Sequence, residues 1–281
     1  MLAAVDLTLA KSALIVLAGG GAGFINSIVG SGTLISFPTL VGLGFAERAA
    51  NIANGTGLFP GSLSAVAAQR PELVGQRNRL LRLVPASMLG GITGAILLLT
   101  LPGSWFKRIV PFLILFGVGL VLAGPPIQRK LRERNATPPA PPTPPVAATV
   151  ATPPTVAAVN ASERVGPLVT GAVFLAGIYG GYFGAAQGII LMGILGVGVR
   201  DALPRLNATK NVLAGTVNGI AAVVFVINGD VLWSVVGLVA VGSIVGGLLG
   251  ARVGRKIAPA VLRGCIVVIG IVAATRLLFF T

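Results

Sequence analysis

"GFINSIVGSGTLISFPTLVGLG", residues 23–44, breaks into apolar surroundings with Asn26, Ser27, Ser31, Thr33, Ser36, Pro38 and Thr39 among scattered glycines. A plain run of Leu and Val would pack better, so the polar and helix-breaking residues need a reason. The stretch reads as two helical arms around a "GSG" break. The first, about 12–29, reaches most of the way across a bilayer, whereas the second, 33–45, covers roughly 20 Å of a ~30 Å hydrocarbon core. Non-helical backbone at that depth is tolerated only where protein buries it or where it lines an aqueous cavity.

The medium follows from composition. Of 281 residues, 54% are hydrophobic and 10% charged, and mean hydropathy is +0.93. Soluble domains carry about 25% charged residues. The runs 80–101, 231–251 and 257–280, the last interrupted by Arg263 and Arg276, reach the roughly 20 residues of a membrane helix. The chain is therefore expected to be an all-α integral membrane protein in contact with a lipid bilayer. The net charge of +14 lies mostly in short loops between apolar runs. Membrane orientation accounts for that placement, and no nucleic-acid partner is expected. There is no His, so no metal site and no cofactor are expected. The single Cys265 cannot form an internal disulfide and is expected to pack in its apolar run. The N-terminal "SALIVLAGGGAG" has a short apolar core, no small-x-small cleavage site and Asp6 upstream, and reads as a first membrane helix.

Residues 125–164 hold ten of the 19 prolines and are expected to form an extended, solvated linker. This divides the chain into a first membrane repeat (1–124), the linker, and a second membrane repeat (165–281). The two repeats resemble each other. "SMLGGITGA" (87–95) and "SIVGGLLGA" (243–251) share the pattern S-x-x-G-G-x-x-G-A at an offset of 156, and "NIAN" (51–54) meets "NATK" (207–210) at the same offset. Gly23, Gly30 and Gly42 match Gly177, Gly184 and Gly196 at an offset of 154. The counterpart of the opening stretch is thus "GIYGGYFGAAQGIILMGILGVG", residues 177–198. Collinear matches of this kind indicate internal duplication.

Each broken hairpin is followed by three apolar runs, 49–68, 80–101 and 109–123, then 211–227, 231–251 and 257–280. Three crossings is an odd number, so the second repeat should be inverted relative to the first, with 8–10 membrane segments in all. With 70–82 in the cytoplasm, 16 of the 21 Lys and Arg residues fall on that side. The linker is then cytoplasmic and both termini face outward, in a multi-pass membrane protein. The glycines at 242, 246, 250 and 254, with Gly90 and Gly94, are expected to let helices pack closely.

Paired interrupted segments in two halves point to a transporter's binding site. Helix N-termini carry partial positive charge and free N–H groups, which suit an anion. The candidate substrate-binding residues are Asn26, Ser31, Thr33 and Ser36 in the first break, Gln187 in the second, Asn51, Asn54 and Thr56 after the first, and Asn207, Thr209, Lys210, Asn211 and Asn218 after the second. Each has a structural alternative: Lys210 could reach cytoplasmic water or pair with Asp201, and the hydroxyls could bond freed backbone. No acidic residue lies mid-span, since Glu47, Asp201 and Asp230 sit near helix ends. An enzyme is not expected. Ser31 has no evident base, no carboxylate pair or Cys pair exists, and "GSGT" lacks the Lys of a phosphate loop.

With "AERAANIANGTGLFPGSLSA", "RLLRLVPASMLGGITGAILL" and "LPRLNATKNVLAGTVNGIAAVVF", the chain resembles the sulfite exporter TauE/SafE family over nearly its whole length except the linker. That resemblance implies a bacterial-type permease of two repeated halves that moves sulfite, organosulfonates or related small oxyanions, usually outward, with carboxylates an alternative. It also carries the family's polar stretches onto "AANIANGTG" and "NATKN". A carrier working by alternating access and an anion channel both remain open readings, as does a homo-oligomer. The long linker departs from the family pattern and is expected to be dispensable for transport.

Overall fold

Small residues decide which helix faces touch. In the computed structural model, which describes residues 7–135, 165–229, 231–253 and 259–279, every regular element is a helix. In chain order these are α1 (Leu9–Ile28), α2 (Thr33–Gly42), α3 (Glu47–Ala68), α4 (Arg70–Leu73), α5 (Arg77–Thr100), α6 (Gly103–Asn135), α7 (Pro167–Tyr182), α8 (Gln187–Gly198), α9 (Leu203–Asn228), α10 (Trp233–Val253) and α11 (Pro259–Phe279). Residues 136–164 of the proline-rich segment, Asp6, Asp230 and Gly254 lie outside the described residues. Among the described residues, five helices are long and apolar enough to cross a membrane: α1, α5, the Gly103–Pro126 part of α6, α9 and α10. Helices α2, α7 and α8 are apolar but shorter.

The S-x-x-G-G-x-x-G-A repeat works as a packing surface in both halves. On α10, Gly242 and Gly246 lie against the backbone at Val16 and Gly20 of α1, and Gly250 lies against Phe24. On α5, Gly90 and Gly94 lie against the backbone of α7 around Phe174, Gly177 and Ile178. The leading serines of the two repeats make matching bonds to positions 156 apart. Ser87 donates to the Leu213 carbonyl at 3.0 Å, and Ser243 donates to the Gly57 carbonyl at 2.8 Å. Asn218 donates to Ser62 at 3.3 Å, a pair that is itself related by that offset. Large apolar side chains such as Leu17, Phe112, Leu175, Ile227 and Val268 point outward. Backbone packed on small residues, with bulky residues outside, is how helices associate in lipid.

The register of these contacts gives helix direction. Gly19 meets Val239 and Gly23 meets Ser243, so α1 and α10 run parallel. Gly61 also meets Ser243, which aligns α3 with α10. Gly91 of α5 lies against Val217 of α9, while Gly90 and Gly181 place α7 alongside α5 in the same sense. Helices α3 and α9 run antiparallel, with Phe59 against Gly219 and Gln69 bonded to Asn211.

Two expectations need correction. Helix α6 does not stop before residue 125 but continues through Pro125 and Pro126 to Asn135. Proline has a helix-compatible φ and forfeits an N–H bond and some steric fit. Beyond the pair, Arg129 and Glu133 form an i,i+4 ion pair at 3.0 Å that favours continued helix. Cys265 is exposed and not packed in the interior.

Where the 70–77 segment of the first half meets the start of α9, a buried polar cluster forms. Arg79, 2% exposed, donates to Gln76 Oε1 at 2.7 Å and to Asp201 Oδ2 at 2.8 Å. Thr209 donates to the same Gln76 oxygen at 2.6 Å, and Arg205 bonds Asp201 and the Val74 carbonyl. Burial pushes the Asp201 carboxyl up. Hydrogen bonds from Arg79, the Ala202 amide and Arg205, together with the charge of Arg79, outweigh it and hold the carboxyl below its ordinary range. Its stabilisation is therefore fully present above the unfolded carboxylate value and is lost as pH falls through the lowered folded value.

Two stability measurements in detergent check this packing. An added Cβ at Gly246 would overlap the Gly20 carbonyl, whereas one at Gly237 meets nothing within 4 Å. Gly246→Ala should destabilise by about 1–3 kcal/mol and Gly237→Ala should not; equal melting temperatures would contradict the α1–α10 contact. Asp201→Asn should lower the melting temperature at neutral pH, with the gap to wild type closing on acidification below about pH 4. A gap constant with pH would remove the carboxylate's role.

Candidate functional site

Gly30 ends the first broken stretch with φ +85°, a left-handed conformation that a side chain would resist. The second break has Gly184 at φ +77° and Ala186 at φ +59°, the one non-glycine residue with positive φ among the described residues. A left-handed non-glycine at the mouth of a helix is a strained position of the kind found where function demands it. The two breaks touch, because the Gly188 amide of α8 donates to the Gly30 carbonyl at 3.0 Å. Side chains on either glycine would drive the two backbones apart.

A cavity of about 30 Å³ sits beside this contact, small enough to limit an occupant to a few heavy atoms. From the first break it is lined by Asn26, Ser27 and Thr33, from the second by Gln187, and from α9 by Lys210, Asn211 and Asn218, with Ser62 of α3 opposite. Lys210 has no exposure to solvent. Its side-chain nitrogen donates to the Asn26 carbonyl at 3.0 Å. Among the described residues it forms no ion pair, and no described carboxylate lines the cavity. The alternative of a Lys210–Asp201 pair does not hold, since Asp201 is taken by Arg79 and Arg205.

The other α9 residues bind the end of α1 as well. Asn207 and Asn211 both donate to the Ser27 carbonyl, at 3.1 and 3.2 Å, and Asn211 also reaches Gln69 Oε1 at 3.0 Å. The last carbonyls of a helix have no partners within it and form the negative end of its dipole, so a cation and two amides there are favourable. In the first half Asn51 does the same for the end of α7, donating to the Tyr182 carbonyl at 3.0 Å. Two amides at the starts of the short helices are engaged within the protein. Gly32 N–H is taken by Asn26 Oδ1 at 2.7 Å and Gly188 N–H by Gly30.

The remaining candidates lie off the cavity. Ser36 donates to Asn54 Oδ1, and Asn54 donates to Thr33 at 3.4 Å, so Asn54 fixes the start of α2. Ser31 and Thr56 are buried with no hydrogen-bond partner for their hydroxyls, and neither lines the cavity. Thr209 belongs to the Arg79 cluster. Gln187, by contrast, lines the cavity, lies over Gly180 and donates to the Ala176 carbonyl at 3.3 Å. Two lining residues escaped the sequence reading, Ser27 and Ser62. Ser62 was reachable from its offset of 156 to Asn218, but Ser27 reads as an ordinary helical serine.

The description "Sulfite exporter TauE/SafE" matches residues 15–277. A probable membrane transporter protein of Haemophilus influenzae is 26% identical over 278 residues, covering 98% of this chain and 97% of the relative. Another from a Sinorhizobium species is 27% identical, covering 97% and 94%, and the probable membrane transporter protein YfcA of Escherichia coli K12 is 26% identical, covering 92% and 86%. No solved structure is a significant match. With a match that spans nearly the whole sequence, on a helical chain whose two breaks meet at a buried polar cavity, the protein belongs to the sulfite exporter TauE/SafE family: it is a multi-pass membrane transporter and not an enzyme.

Proposed function

We propose that the protein is a carrier for small sulfur oxyanions or sulfonates, working by alternating access, with the cavity beside Lys210 as its binding place. The observation that carries this reading is Lys210. It is a fully buried amino group, donating to Asn26, that offers three N–H donors when protonated and has no described carboxylate beside it. An unpaired charge buried this way is costly unless a counter-ion arrives. An anion of a few heavy atoms would meet the ammonium, Asn211, Asn218 and Gln187 in a space of matching size. The family description supplies the sulfur chemistry.

The two halves act as inverted repeats. Helices α1 and α3 run with α10, whereas their counterparts α7 and α9 run with α5, the counterpart of α10. The matching serine bonds and the Asn218–Ser62 pair support a two-fold relation between the halves. The charge distribution favours a cytoplasmic end for α6 and outer positions for the start of α1 and the end of α11. The short arms α2 and α8, lying outside the glycine-lined helix pairs, are the elements that would move in alternating access.

Two experiments test this. In proteoliposomes loaded with sulfite, Lys210→Ala should abolish saturable counterflow and Asn54→Ala should reduce it less, with both variants, though lowered in melting temperature by the lost buried hydrogen bonds, still folded at the assay temperature. Wild-type flux from Lys210→Ala would remove the site, and non-saturable flux without counterflow would favour a channel. For topology, in a Cys265→Ala background, a cysteine at Arg129 should react with an impermeant maleimide only from the cytoplasmic face and one at Leu9 only from the outer face. Labelling of both from the same face would overturn the inverted arrangement, and exchanged faces would overturn the assigned orientation.

A further inference from the structure

Lys210 has a second consequence, which rests on the anion reading above and asks what accompanies the anion. We propose that the anion and a proton occupy the cavity together, the proton on the Lys210 nitrogen, so that each anion is carried with one proton. The geometry leads there in three steps. The nitrogen is sealed from solvent, and its one hydrogen-bond partner is a carbonyl, Asn26 O at 3.0 Å, which an amine and an ammonium can both satisfy. With an anion present, the ammonium has a counter-charge. With the cavity empty, an ammonium there would have only the carbonyl end of α1 and neutral amides around it, a buried charge with no full counter-charge, the arrangement buried sites avoid.

No other group on the elements around Lys210 supplies that counter-charge. Helix α1 carries only Lys11, at its far end, and α3 carries Glu47 and Arg48, also at its far end. Helices α7 and α8 carry no charged residue, only Tyr179 and Tyr182, whose rings pack on Phe116 and Phe106. On α4 are Arg70 and Glu72; at the start of α5, Arg79 is closed on Asp201, with Arg77 and Arg82 beside it in sequence. Of α9 and its approach, Arg205 is closed on the same Asp201, and Arg200 precedes it. None of these residues lines the cavity, where Lys210 is the single titratable side chain.

The first-half position related by the repeat offset makes the asymmetry plain. It is Asn54, a neutral amide held by Ser36 and Thr33. One half thus brings a proton-carrying group to the breaks, and the other brings none. The step balances simply. Lys210 takes one proton from the side on which the anion enters, converting –NH2 to –NH3+, and returns it where the anion leaves. The complex that moves adds no net charge to the empty carrier when the anion is monovalent.

The test uses the full-length protein in detergent and two anions that take up no proton near neutrality, methanesulfonate and thiosulfate. Isothermal titration in buffers of different ionisation enthalpy should give a heat that varies linearly with buffer, with up to about one proton taken up per anion. The affinity should weaken by as much as about tenfold per pH unit on the alkaline side. Lys210→Arg, which stays charged, should bind without proton uptake and with a flat pH profile. Binding of either anion to wild type with no buffer dependence and no change between about pH 6 and 9 would overturn proton coupling while leaving the anion site standing. No binding of either anion would overturn both.

Discussion

A helix broken inside a membrane leaves carbonyl groups that nothing in lipid can satisfy, and in this chain the end of α1 meets that demand with three side chains of α9. Lys210 takes the Asn26 carbonyl, and Asn207 and Asn211 share the Ser27 carbonyl. The second break repeats the solution with one amide, Asn51 on Tyr182. Each half therefore holds the interrupted helix of the other. Neither break could persist alone, since each unsatisfied group in hydrocarbon costs several kcal/mol. The cavity exists because these two exchanged grips bring Gly30 and Gly188 into contact.

That contact requires backbones to come close, and the glycine pattern makes this possible. The S-x-x-G-G-x-x-G-A repeats bring α10 onto α1 and α5 onto α7, and Ser243 and Ser87 tie the same helices to α3 and α9. The rigid part of the molecule is thus two glycine-lined stacks with bulky apolar residues turned outward. The short arms α2 and α8 lie between them, held by few side-chain bonds, those of Asn54 and Gln187 among them. Glycine-lined stacks around short, interrupted arms whose apolar faces are buried are a workable plan for a carrier.

Much of this was legible in the sequence because membranes enforce simple rules. Hydropathy identified the medium, and the repeat offset of 156 located the equivalent serines that later proved to make the same bond. The "GSG" break and its counterpart were visible because Gly30 and Gly184 occupy conformations other residues avoid. Less legible was which end of the broken helix matters. Sequence reasoning favoured free amides at the starts of α2 and α8, yet the Gly32 and Gly188 amides are satisfied internally and the α1 carbonyls organise the cavity. Spacing along one chain could not show that Asn211 and Lys210 reach α1 while Thr209, their neighbour, turns toward Gln76. Nor could it foresee that α6 would continue past Pro125, because the i,i+4 pair beyond it competes with the proline penalty only once a helix is already there.

The most direct measurement is a structure of the protein with selenite, a heavier analogue of sulfite, located by its anomalous scattering. The expected result is one selenium peak in the cavity between Gly30 and Gly188, within about 4 Å of the Lys210 nitrogen. A peak bound elsewhere on the protein, or a cavity empty at saturating selenite, would contradict the assignment of the site.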